Sequence, residues 1–240
     1  MSYLKKGQPL VNVMSHLRPK GPGRGGSVAV IGLGRFGSSL ALELMGTGVS
    51  VLGIDVNDNL VQALNGELTQ VVRADATKRE VLEQLSIHEF DRVVVAIGNH
   101  LQASILTSSQ LIRIGIPHIW AKAQDDQHGL ILEQLGVHHI VYPEKDMGRR
   151  VAHRVRDAIL DYVEIDAGYV LVKASVPHTL QGTRLGDSQL RRRYGVTIAA
   201  AAAPDGSWRN ADADTVLHSG DRILVLGPIR AIESFGRLLE

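Results

Sequence analysis

The chain has 240 residues, of which 44% are hydrophobic and 21% charged, and a formal net charge of +1. That balance is ordinary for a globular protein of one large or two small domains. The absence of cysteine excludes disulfides, thiolate catalysis and cysteine-bound metals, and aromatics at 4% fit buried strands and helices better than a base-stacking surface; no nucleic-acid partner is expected.

Residues 1–26 carry Lys5, Lys6, Arg18, Lys20 and Arg24, with no acid and no apolar core of signal-peptide length, and end in a Gly/Pro-rich run. They read as a flexible basic tail, either a solvated extension or a misassigned start, or a segment that brushes a membrane surface or nucleic acid. Its charge of +5 against a total of +1 leaves −4 for the rest. No stretch approaches the ~18 uninterrupted apolar residues of a membrane-spanning helix.

From Ser27 onward strands and helices alternate. Strands are expected near Val28–Ile31, Ser50–Asp55, Gln70–Arg73, Arg92–Ala96, His118–Lys122 and His139–Val141. Helical patterns fall at Arg35–Met45, Leu60–Asn65, Arg79–Leu85, Leu101–Ile114 and Gly129–Leu135. Short apolar strands separated by helices indicate an α/β fold, a Rossmann-like doubly wound parallel sheet, over residues 27–143. A long charged helix is expected from about Glu144 to Leu160, within a crossover and linker spanning 144–163. Residues 164–240 then read as a small α+β unit. Tyr169–Val176, Val196–Ala201 and Arg222–Leu226 are its strands, an Arg-rich turn or helix lies near Leu190–Tyr194, and a helix closes it after Pro228.

Gly32-Leu33-Gly34-Arg35-Phe36-Gly37 lies between the first strand and the first helix, with Asp55 ending the second strand. This is the layout of a dinucleotide-binding turn. The first glycine permits the tight turn, the second lets backbone approach a pyrophosphate, and the third lets the helix pack against the sheet with its N–H groups facing the phosphates. Asp55 can accept hydrogen bonds from ribose hydroxyls, with Val56 and Asn57 directly behind it. Arg35 places a fixed cation where a terminal phosphate would lie, which suits ATP at least as well as NAD.

Other positions converge at the carboxyl ends of the strands, where ligands bind in such sheets. Asp75, followed by Ala76, either lies beside the adenine or caps the next helix, and both roles are compatible. Ile97 and Gly98 offer a close backbone wall. Lys122 and Glu144 read either as a phosphate contact and a hydrated-cation contact, or as a surface ion pair with a helix-capping acid. His138 and His139 lack an evident third ligand for a metal. Arg191, Arg192 and Arg193 form either a solvated face or an anion contact. There is no G-x-x-x-x-G-K-[ST] loop. The second unit shows no proton-transfer constellation for a dehydrogenase, although an NAD-dependent oxidoreductase stays open as the alternative.

Val30–Gly37, Arg73–Thr77, Ile119–Ala123 and Tyr142–Gly148 together resemble the RCK (regulator of potassium conductance) family, and more narrowly the cytosolic regulatory subunits of Ktr/Trk potassium uptake systems. In the second unit Leu190, Tyr194-Gly195, Ile198 and Gly220–Gly227 fit the same family, whereas Asn210-Ala211-Asp212 stands where a proline is usual. The resemblance implies a non-enzymatic subunit, cytoplasmic and peripherally bound at the inner face of the membrane. It implies homodimers that assemble into a ring, an octamer, docked on a separate membrane potassium channel or transporter subunit. ATP and ADP would favour different ring states, with NAD or NADH as further candidate ligands. Arg35 matches a position that reaches a terminal phosphate, Asp55 the ribose, and Lys122 a ligand-facing lysine. Glu144 matches an acid holding Mg²⁺ or another cation between paired nucleotides. Cyclic di-AMP is a candidate ligand of the second unit, with Arg191 near the matching position.

Overall fold

The computed structural model describes residues 26–156 and 159–238, so nearly all of the expected basic tail lies outside the described residues. The chain divides into two compact units, one ending at Glu144 and the other beginning at Lys145.

The first unit is a six-stranded, all-parallel sheet. Its strands are β1 (Ser27–Ile31), β2 (Ser50–Asp55), β3 (Gln70–Arg73), β4 (Arg92–Val95), β5 (Ile119–Lys122) and β6 (His139–Val141), in the order β3-β2-β1-β4-β5-β6. Between them run α1 (Arg35–Gly46), α2 (Asp58–Ala63), α3 (Arg79–Gln84), α4 (Leu101–Ile114) and α5 (Asp126–Gln134). Successive strand residues face opposite sides, and both sides are dry. Ala29, Ile31, Val93, Val95 and Ile119 pack with Leu82 of α3, Leu111 of α4 and Leu132 of α5. Val28, Val30, Val51 and Val94 pack with Ala41 of α1 and with Leu64. Burial on both faces is why these strands read as unbroken apolar runs rather than alternating ones. The strand order reverses between β1 and β4, which opens a crevice at their carboxyl ends.

A sixth helix, α6 (Pro143–Arg156), begins in the first unit and continues into the second. The second unit is an antiparallel sheet of β7 (Ile159–Asp166), β8 (Tyr169–Ser175), β9 (Thr197–Ala202), β10 (Trp208–Asn210) and β11 (Arg222–Pro228), in the order β10-β9-β11-β8-β7. Its inner face carries Val170, Val172, Ala174, Ile223 and Val225, packed with Ile232 and Phe235 of α8 (Ile229–Gly236) and Leu190 of α7 (Leu190–Tyr194). Contrary to the expectation from sequence, the charged helix does not reach Leu160, because Ile159 already opens β7. Among the described residues no helix is long and apolar enough to cross a membrane.

Candidate functional site

β1 delivers the chain into Gly32 at φ +95°, a conformation that L side chains rarely adopt. A Cβ there would also lie 3.0 Å from the backbone of Ala96 and Ile97 at the end of β4. Gly37 is required for a second reason: a Cβ at this position would sit 1.8 Å from the carbonyl oxygen of Gly32, so only hydrogen lets α1 approach the loop. At Gly34 a Cβ would meet nothing within 4 Å, because that position faces the cavity. Gly34 caps α1 without a side chain, so the free amides and positive dipole end of the helix lie at the cavity wall.

Asp55 organises this loop from beneath. Its Oδ2 accepts from the Leu33 amide at 2.6 Å and its Oδ1 from the Asn57 amide at 2.8 Å. The carboxylate thus ties the glycine loop to the end of β2, and each oxygen retains acceptor capacity for a ribose hydroxyl. Asn57 in turn caps α2 by accepting from the Asn59 amide at 3.0 Å. Asp75 accepts from the Thr77 hydroxyl at 2.6 Å and the Thr77 amide at 3.1 Å. These bonds, the hydroxyl first, hold its carboxyl below the usual range. It does not cap the next helix, whose N-cap is Lys78; it closes the turn before it.

Lys122 and Glu144 are brought together across the ends of β5 and β6. Lys122 is 8% exposed, and its ammonium donates to Glu144 Oε1 at 2.5 Å. The Phe36 ring centroid lies 5.8 Å from Nζ. The Lys122 hydrogen bond is the main cause of a lowered Glu144 pKa, and the charge of Arg35 acts in the same direction. Of the readings open from sequence, the ion pair is the one seen, with its cation buried in the cavity wall and its carboxylate side chain 66% exposed.

Most of these residues surround one cavity of about 620 Å³ at the switch point. Of the expected site residues, Gly32, Gly34, Arg35, Phe36, Asp55, Val56, Asn57, Asp75, Ala76, Ile97, Gly98, Lys122 and Glu144 line it. Gly37 does not; it is the packing contact beneath the loop. Sequence reasoning missed Thr77, Asn99, His100, Ala103, Thr107 and Gln124, which also line it. Asn99 and His100 could have been found from their place directly after the β4 end. Gln124, whose side-chain amide donates to the Gly98 carbonyl, and Thr107, buried in α4, carry no such signal. The described residues hold no cluster of three metal-ligating side chains. Glu144 therefore fits a cation only as one carboxylate beside ligand phosphates and water, a donor set suited to Mg²⁺.

His138 Nδ1 accepts from the Ile119 amide at 3.1 Å, and His139 stacks on Trp120 at 4.1 Å. In the second unit Arg191 is exposed and donates to the Thr197 hydroxyl at 3.0 Å.

A Rossmann-like sheet with a glycine loop and a charged cavity at its switch point, joined to a small α+β unit, defines the class of protein. The TrkA-N domain family matches residues 28–143 and the TrkA-C domain family residues 170–240. Ktr system potassium uptake protein C of Bacillus subtilis (strain 168) is 38% identical over 208 residues, 86% of this chain and 94% of its own length. Ktr system potassium uptake protein A of Vibrio alginolyticus is 34% identical over 201 residues, 83% of this chain and 91% of its own length. The chain belongs to this family of potassium uptake proteins with TrkA-N and TrkA-C domains. Among solved structures, the GsuK RCK domain shares the fold with a TM-score of 0.65 and 16% identity, over 95% of this chain and 51% of that one. The GsuK channel bound to NAD matches with a TM-score of 0.64 and 16% identity, over 92% of this chain and 40% of that one.

Proposed function

We propose that this chain is a non-enzymatic, nucleotide-sensing regulatory subunit of a Ktr/Trk-type potassium uptake system. It works at the cytoplasmic face of the membrane on a separate potassium-conducting subunit. The observation that carries this reading is the convergence of Arg35, the buried Lys122 and Glu144 on a glycine loop whose helix start faces the same cavity. Two cations and a helix dipole favour a polyphosphate. In this reading Asp55 takes the ribose and the Asp75–Thr77 turn, which lines the same cavity, lies beside the base.

ATP and ADP differ by a charged group that Arg35 can hold, and Mg²⁺ or another cation at Glu144 would neutralise part of that charge when bound. A ligand shifts a conformational equilibrium only through such differential contacts. The sensing unit in this reading is a homodimer assembled into an octameric ring, and cyclic di-AMP near Arg191 is a second ligand to test.

The test is potassium flux into proteoliposomes holding the membrane subunit, with and without this chain, in ATP or in ADP. The reading expects flux to differ between the two nucleotides only when the chain is present. Equal flux under all four conditions would contradict it.

A further inference from the structure

Lys122 cannot move far. It is 8% exposed, and its ammonium lies between the Phe36 ring and the Gly98 backbone, where a Cβ on Gly98 would come within 3.1 Å of Nζ. Glu144 is its opposite. Its side chain is 66% exposed and stands in the first turn of α6, held at the cavity by the 2.5 Å bond to Lys122. A phosphate that reaches Lys122 therefore meets an ammonium already bonded to a carboxylate. Two anions at hydrogen-bond distance from one ammonium repel each other. The group able to leave is Glu144, because an exposed carboxylate regains water at little cost while a buried lysine has nowhere to go.

We propose that in the ligand-free chain Glu144 occupies the place on Lys122 that a ligand phosphate takes. Binding exchanges one anion for another and frees the first turn of α6. This rests on the reading of the cavity as a nucleotide site and adds a selection rule to it. A ligand must carry enough anionic charge to displace a carboxylate, which favours nucleoside di- and triphosphates over monophosphates and nucleosides.

The experiment is a double-mutant cycle read by ADP titration in chelator-containing, divalent-free buffer. Glu144→Gln is expected to tighten ADP about three- to fivefold, the range for releasing an ion pair of this exposure. In a Lys122→Met background the same change is expected to leave ADP affinity unaltered; Lys122→Gln serves if Met at this buried position prevents folding. Equal tightening in both backgrounds would mean that Glu144 merely repels the ligand, and the exchange would be overturned. Unchanged or weaker binding by Glu144→Gln alone overturns it as well. Failure of the wild-type chain to bind either ADP or ATP would instead remove the nucleotide reading on which the exchange rests.

Discussion

At the scale of single residues, the glycine loop was legible from its spacing, although only Gly32 and Gly37 answer a steric demand and Gly34 faces open space. The demands differ, and they give a contrast to measure. Gly37→Ala drives a Cβ to 1.8 Å from the Gly32 oxygen and is expected to destabilise the first unit by about 3 kcal/mol or more in urea denaturation. Gly34→Ala, at φ −63° with open space before it, is expected to leave stability unchanged or raise it by about 0.5 kcal/mol while weakening nucleotide binding. Arg35→Ala is expected to weaken ATP about tenfold or more and ADP much less, since one charge-assisted hydrogen bond is worth about 1.5–3 kcal/mol. Equal losses for the two nucleotides, read by titration, would remove Arg35 from the terminal phosphate. What the sequence did not disclose is pairing over distance. Leu33 and Asp55 are 22 positions apart and no local pattern announces their bond, whereas the Lys122–Glu144 ion pair, equally distant, was open from their places at neighbouring strand ends.

At the scale of elements, the strands and helices of the first unit were legible because burial on both faces gives short apolar runs, and their alternation with helical patterns points to a parallel sheet. β7 was not. Its apolar positions, 159, 160, 162, 163 and 165, satisfy a helical spacing as well as a strand, and register shifts at Ile159/Asp161 and Glu164/Asp166 break the alternation. Ion pairs then join it to α6. Arg150 binds Asp161 through both oxygens, at 2.7 and 2.6 Å, and Arg149 reaches Glu164 at 2.6 Å. The Arg150 hydrogen bonds hold the Asp161 pKa at about 2. Because the folded value lies below the unfolded one of about 3.9, the pair stabilises the fold above that pH, and the contribution fades as pH falls toward 2. Arg150→Met is therefore expected to lower stability at neutral pH and to flatten its decline between about pH 4 and pH 2, measured by urea denaturation across that range.

At the scale of the whole molecule, the division into a sheet-based unit and a smaller antiparallel one was legible from the change in pattern after Tyr142. The site was legible in outline because a doubly wound sheet brings its strand ends together at one switch point. Its α4 wall was not, since Ala103 and Thr107 look like ordinary helix residues until the helix is placed. In the proposed function this cavity distinguishes nucleotides by their phosphates. The most direct measurement is calorimetric titration of the purified chain with ATP, ADP and NADH, with and without Mg²⁺. Tight ATP binding that Mg²⁺ enhances, with NADH weaker, is the predicted result. Preferential binding of NADH, indifferent to Mg²⁺, would contradict it and turn the search toward a redox sensor or a dehydrogenase.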